Sequence, residues 1–99
     1  MRTSLSSDEA ADEALDYLAA GLPFHAHEVL EIRWRCCPTQ ERSLWRALAQ
    51  AAAGCTHTAR GNPVGAERLR ERAQEGLAAY AGPTPKRIGE LLNALGVDR

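Results

Sequence analysis

A chain of 99 residues has enough surface to bury only one hydrophobic core, so the sequence predicts a single domain. Hydrophobic residues make up 44% of the chain and charged residues 25%, which is the usual balance of a globular protein. The formal net charge is -1 and no block of one sign occurs. The basic stripe that is typical of nucleic-acid-binding proteins is therefore missing, and nucleic acid is not an expected partner.

The cysteines and the N-terminal residues indicate the cellular compartment of the protein. Cys36 and Cys37 are adjacent and Cys55 stands alone, which is a poor framework for disulfides and favours a reducing compartment. Residues 1–5 lack the apolar core of a signal peptide. No stretch approaches the roughly 18 apolar residues of a membrane-spanning helix. We therefore expect a cytoplasmic protein with no membrane partner.

The first two helices are delimited by local signals. Ser6 and Glu9 have the spacing of a capping box, which predicts that the first helix begins here, and Gly21 is a natural end. Pro23 is suited to the first position of a second helix, which runs to about Cys36. The apolar positions of the first helix recur at helical spacing: Ala11, Ala14, Leu15 and Leu18.

The third helix is predicted to begin at Pro38 and to run to about Ala59. Residues at helical spacing give it one continuous apolar face: Leu44, Leu48, Ala52, Cys55 and Ala59. Trp45 falls outside this face. Two interpretations of Trp45 follow: an exposed anchor for a partner helix or a second copy of the chain, or a cap at the edge of the core.

The remaining chain predicts two more helices. Asn62 and Pro63 supply the cap and the first residue of a fourth helix, and a short fifth helix begins at residues 84–85 and ends near Gly96. No window alternates with a period of two, and the short connections favour antiparallel packing of sequential helices. The predicted fold class is all-α, a compact bundle of about five helices with short loops and mainly antiparallel neighbours.

The helix pattern also predicts the extent of the domain. Residues 7–96 form the helical domain, residues 1–6 a flexible N-terminus, and residues 97–99 a C-terminal tail.

His27 and Glu31 are the first candidate site residues. They are four residues apart in the second helix, so their side chains lie on the same side of it, together with Phe24 and Trp34. This helix is apolar on two sides, which predicts that it is the central one. A polar pair among aromatic rings should be buried or half-buried, and buried polar groups need partners.

The third helix offers such partners. Arg46, Gln50 and His57 form a stripe along one side of this helix, with Gln50 and His57 seven residues, or two turns, apart. The small residues Ala53 and Gly54 in this stripe would let a neighbouring helix approach closely. We expect this side to face the second helix. The predicted polar seam between the two helices consists of His27, Glu31, Gln50 and His57.

Two segments in these helices carry a resemblance to a known family. The first reads Phe24-x-Ala26-His27-Glu28-Val29-Leu30-Glu31-x-x-Trp34. The second reads Leu48-x-Gln50-x-Ala52-Ala53, followed by His57-x-x-Arg60-Gly61-Asn62-x-x-Gly65-Ala66. Together they resemble the signatures of the bacterial and archaeal family catalogued as domain of unknown function 309, over about residues 14–80. The resemblance implies a small helical protein with a site at these segments and no established activity. The chain departs from the family pattern at His25, where an acidic residue is common, and at Ala47, where glycine is usual.

A metal centre is an alternative interpretation of the same residues. His27, Glu31 and His57 would supply two imidazoles and one carboxylate, a ligand set that zinc and non-haem iron sites use. The segment differs from the His-Glu-x-x-His motif of zinc proteases because a carboxylate replaces the second imidazole. Glu28 would then be the general base, and the cofactor would be a divalent metal.

The segment from Arg60 to Gly65 also has two interpretations. It can be read as a linker that ends one helix and starts the next, with Asn62 as the cap. Alternatively, free backbone N–H groups at the start of the fourth helix, with Arg60 nearby, could hold an anion.

These patterns lead to two hypotheses. The preferred one is a non-enzymatic binding or interaction module with the polar seam at its centre, because no complete catalytic set is present. The alternative is a metal-dependent, hydrolase-like enzyme. A small anionic ligand, a protein partner and a second copy of the chain are all compatible with the sequence.

Overall fold

The structure is a computed structural model, and it describes residues 2–99. Five α-helices occur in this part of the chain, and a short 3-10 helix at Thr39–Glu41 precedes the third of them. No strand is present in the same residues. The helices are α1 Ser7–Ala19, α2 Pro23–Cys36, α3 Arg42–Ala59, α4 Pro63–Ala79 and α5 Ile88–Leu95. The predicted all-α bundle is confirmed.

Local hydrogen bonds fix the ends of α1 as the sequence predicts. The Ser6 hydroxyl accepts from the backbone N–H of Glu9 at 3.1 Å, and the Glu9 carboxylate accepts from the backbone N–H of Ser6 at 2.9 Å. Hydrogen bonding of the Glu9 carboxylate by the Ser6 backbone N–H, and to a smaller extent by the Ser6 side chain, lowers the pKa of Glu9. Gly21 has φ +74°, and Leu22 N–H donates to the Tyr17 carbonyl at 2.9 Å, which ends the helix in a Schellman motif.

Two predicted helix starts are wrong by about four residues. Residues 39–41 form a 3-10 turn, with Glu41 N–H donating to the Pro38 carbonyl at 2.9 Å, so α3 begins only at Arg42. The last helix begins at Ile88 because Arg87 has a left-handed backbone, with φ +67°, which interrupts any helix starting at residues 84–85.

The centre of the bundle is α3, not α2 as predicted, because α3 packs against α2, α4 and α5. The largest fully buried side chains are Leu30, Leu44, Trp45, Leu48, Leu77, Ile88 and Leu91. Leu5 and Val97, just outside the predicted domain limits, are also buried against the core.

Glycine lets α3 and α4 approach each other closely. A Cβ atom at Gly54 would lie 3.3 Å from the backbone oxygen of Ala66, and one at Gly76 would lie 3.2 Å from the Cβ of Ala47. The prediction that Gly54 lets α2 approach α3 closely is therefore wrong, since the helix that approaches at Gly54 is α4. This packing brings residues of α4 next to the face shared by α2 and α3.

Trp45 is fully buried, which excludes its interpretation as an exposed anchor. Its indole N–H donates to Oε1 of Glu41 at 2.9 Å, and the guanidinium of Arg33 lies 5.3 Å from the ring centroid. Arg33 also donates to the same Glu41 oxygen at 3.3 Å and to the Leu5 carbonyl at 3.1 Å. This buried arginine–tryptophan pair ties α2 to α3.

In residues 2–99, no helix combines the length and the apolar character needed to cross a membrane.

Candidate functional site

Three of the predicted site residues line one small hollow between α2 and α3. His27 and Glu31 come from α2 and Gln50 from α3, and the hollow has a volume of about 210 Å³. We call it the polar hollow. Its other lining residues are Trp34, Arg46, Ala49, Ala53 and Leu69.

The imidazole and the carboxylate in this hollow are paired with each other. His27 Nε2 lies 3.1 Å from Glu31 Oε2, and the second carboxylate oxygen of Glu31 accepts from Arg35. The Phe24 ring stacks on the His27 ring with centroids 6.0 Å apart. The side chains of His27 and Glu31 are 26% and 28% exposed, so the pair is oriented by its neighbours and still reachable from solvent.

Glu28, the candidate general base, is exposed on the same helix. It lines a second and larger hollow of about 530 Å³, which His27 and Glu31 also border. This hollow includes residues from the N-terminal segment, among them Arg2 and Thr3. Glu28 therefore lies beside the His27–Glu31 pair but outside the polar hollow.

His57 does not line the polar hollow. Its Nδ1 lies 3.0 Å from the side-chain amide nitrogen of Asn62, and the Asn62 amide oxygen accepts from Gly65 N–H at 3.1 Å. A Cβ at Gly65 would lie only 2.7 Å from Asn62 Nδ2 and 3.0 Å from His57 Nδ1, so a larger residue at this position would displace the Asn62 amide from its contact with His57. The predicted seam is thus divided, with His57 at the junction of α3 and α4.

The predicted metal-ligand set is not assembled. Residues 2–99 contain no group of three or more His, Cys, Asp or Glu side chains placed to hold a metal ion. His27 and Glu31 are together, but His57 is engaged with Asn62. The donor geometry therefore does not fit a metal held by His27, Glu31 and His57.

The segment from Arg60 to Gly65 is accounted for as a helix linker. Gly61 has φ +75°, and Asn62 N–H donates to the His57 carbonyl at 2.8 Å, which ends α3 in a second Schellman motif. Asn62 then caps α4, as predicted. The guanidinium of Arg60 lies 5.7 Å from the centroid of the Phe24 ring, so Arg60 is directed to α2.

A neighbouring hollow was not predicted from the sequence. It has a volume of about 500 Å³, and three arginines line it: Arg42 and Arg46 from α3, and Arg72 from α4. We call it the arginine hollow. The rest of its lining is Trp34, Ser43, Gln50, Glu75 and Gly76, so it shares Trp34, Arg46 and Gln50 with the polar hollow. The i, i+4 spacing of Arg42 and Arg46 was a usable signal, whereas Arg72 joins them only through the packing of α4.

The three free thiols of the described residues are expected to differ in reactivity. Burial raises the pKa of Cys37 and of Cys55, whereas Cys36 is exposed. A raised pKa leaves less of the reactive thiolate at a given pH, so we expect iodoacetamide to modify Cys36 first at neutral pH and the other two only as the pH rises. Peptide mass spectrometry after timed alkylation measures the order. Equal rates for all three thiols in the folded protein would contradict this expectation.

Comparison with known proteins gives one family. The model of the family described as Domain of unknown function (DUF309) matches residues 11–69, more than half of the chain and including the whole of α2 and α3. The resemblance that the sequence suggested is confirmed. No curated protein and no solved structure matches the chain.

Proposed function

The chain belongs to the DUF309 family, and from that premise we propose that it is a non-enzymatic binding module whose ligand site is the polar hollow. The observation that carries the proposal is the convergence of His27, Glu31 and Gln50, from two different helices, on one hollow open to solvent. A site of this kind, with a few polar groups on an otherwise apolar wall, is typical of ligand binding.

The chemistry of the lining indicates what such a site would recognise. The Gln50 amide can both donate and accept, the Glu31 carboxylate accepts, and the His27 ring offers one nitrogen of each kind when neutral. A volume of about 210 Å³ is small, enough for a few water molecules. The ligand would therefore insert one small polar group, such as an amide or a hydroxyl, while its remainder lies outside the hollow.

A binding role fits this lining better than catalysis. The described residues that form the hollow include no hydroxyl or thiol side chain that could act as a nucleophile. The His27 ring is already paired with Glu31, which is in turn held by Arg35. These contacts favour a fixed recognition surface.

Binding can be tested with a panel of uncharged amides, alcohols and sugars, followed by two-dimensional NMR. We expect at least one compound to shift the Trp34 indole N–H resonance in a saturable manner. Gln50→Ala should weaken its binding about 10-fold or more, because the bonds made by the amide are lost from a half-buried position. The matched control is Gln40→Ala, since Gln40 is exposed and lines neither hollow.

Two outcomes would contradict the proposal. One is a panel in which no compound gives saturable shifts of residues that line the polar hollow. The other is binding that Gln50→Ala and Gln40→Ala change equally, because the hollow would then not be the site.

A further inference from the structure

We propose that the arginine hollow binds a small oxyanion, a phosphate monoester or a polycarboxylate, and so holds the charged end of the ligand. This inference rests on the proposed binding function and names the chemical class of the ligand. Two observations support it: the positions of the three arginines around one space, and the absence of an acidic partner for any of them among residues 2–99.

The Trp34 ring contacts two of the arginines. The guanidinium carbons of Arg42 and Arg46 each lie 5.9 Å from the centroid of the Trp34 ring. Such cation–π contacts orient the guanidinium groups without using up their N–H donors. Arg72 enters the same hollow from α4, so cations from two helices surround one space. The Ser43 hydroxyl and the Gln50 amide add neutral donors to the lining.

None of the three arginines has an acidic partner. The ion pairs formed among residues 2–99 involve neither Arg42, Arg46 nor Arg72. Glu75 is the one acidic residue in the lining, and its carboxylate is more than 4.0 Å from their nitrogens. Three guanidinium groups therefore face a space with one carboxylate at its edge, although the whole chain has a net charge of -1. An anion would find several charge-assisted donors in this hollow.

The buried arginine–tryptophan pair shows what completes such an arrangement. There, Arg33 of α2 lies over Trp45 of α3, and the carboxylate of Glu41 accepts from both side chains. In the arginine hollow the two helices have the opposite roles, because α3 supplies the arginines and α2 supplies the tryptophan, Trp34. No carboxylate accepts from these arginines, because Glu75 forms no ion pair with any of them, so a bound oxyanion would take the part that Glu41 plays in the buried pair.

The size and position of the hollow favour a small molecule. Its volume of about 500 Å³ lies within the usual range for small-molecule sites. Because the two hollows share Trp34, Arg46 and Gln50, one ligand could place a small polar group in the polar hollow and its anionic end among the arginines.

The test is a titration with inorganic phosphate and, separately, with citrate, at constant ionic strength and followed by NMR of the arginine Nε–H and Trp34 indole signals. We expect saturable binding of at least one anion.

Arg42→Gln and Arg72→Gln should each weaken this binding about 10-fold, since each removes a hydrogen bond between charged groups. Arg68→Gln is the matched control and should leave affinity within about 2-fold, because Arg68 is exposed on α4 and lines neither hollow. The anion that binds in a saturable manner identifies the class of ligand: phosphate indicates a phosphate monoester, citrate a polycarboxylate, and both together a site for either.

Loss of affinity in Arg68→Gln equal to that in Arg42→Gln would overturn the inference, because it would show diffuse attraction by surface charge. So would shifts that never saturate with either anion. These failures differ from a failure of the proposed function, since Arg42 and Arg72 do not line the polar hollow and the binding of uncharged compounds does not depend on them. Each variant changes an exposed side chain, and an unchanged spectrum outside the hollow verifies the fold.

Discussion

Replacing Trp45 with alanine is expected to lower the free energy of unfolding by about 3–5 kcal/mol, the usual cost of truncating a buried aromatic side chain. Trp45 is fully buried in the most central helix, and its removal leaves a cavity that the surrounding helices can fill only in part. It also leaves Glu41 and Arg33 without the ring that they contact. Since a small domain is stable by only about 5–15 kcal/mol, much of the stability should be lost.

Urea denaturation followed by circular dichroism measures this change. Trp34→Ala is the control, because it removes the same side chain from a half-exposed position and should cost much less. If the two variants were equally stable, Trp45 would not be the buried residue that the structure shows. The pair of variants also separates stability from binding, since Trp34 and not Trp45 lines the two hollows.

Helix ends were predictable wherever a short segment contains the whole signal. The Ser6–Glu9 box, the glycines at 21 and 61 and the Asn62 cap all act through hydrogen bonds within about six residues. The start of α5 was not predictable in this way. Its position depends on a left-handed backbone at Arg87, and arginine has no local preference for that conformation.

Trp45 shows why the burial of a side chain is harder to predict from sequence than the helix that contains it. A search for one apolar face assumes that a helix has one neighbour, and Trp45 lies outside the leucine face. Helix α3 has three helical neighbours, so most of its circumference is buried. The position of Trp45 became clear only when the packing of α2 was known.

The candidate site, too, was predictable only where it depends on spacing within one helix or on the contact of two neighbouring helices. Helical spacing placed His27 beside Glu31, and the facing of α2 and α3 added Gln50. His57 was assigned to the same group because two turns separate it from Gln50, but Asn62 holds it at the end of α3. The arginine hollow could not be predicted, since Arg72 comes from a third helix whose approach depends on Gly54 and Gly76.

Replacing Glu41 with alanine is the second substitution for which a large effect is expected, a loss of about 2–3 kcal/mol in the free energy of unfolding. The change leaves the buried indole N–H of Trp45 without an acceptor, which costs about 1–3 kcal/mol. It also leaves Arg33, whose side chain is only 11% exposed, without a carboxylate. The partial exposure of Glu41 keeps the cost below that of breaking a fully buried ion pair.

Thermal and urea unfolding of two further variants test this network. Glu41→Gln retains an amide oxygen that can accept from Trp45, so it should cost less than Glu41→Ala. Glu13→Ala removes the acidic partner from the more exposed pair with Arg2 and should cost much less than Glu41→Ala. If Glu41→Ala were no more costly than Glu13→Ala, the carboxylate would not be what completes the buried arginine–tryptophan pair. The buried pair would then no longer support the binding of an oxyanion by Arg42 and Arg46 beside Trp34.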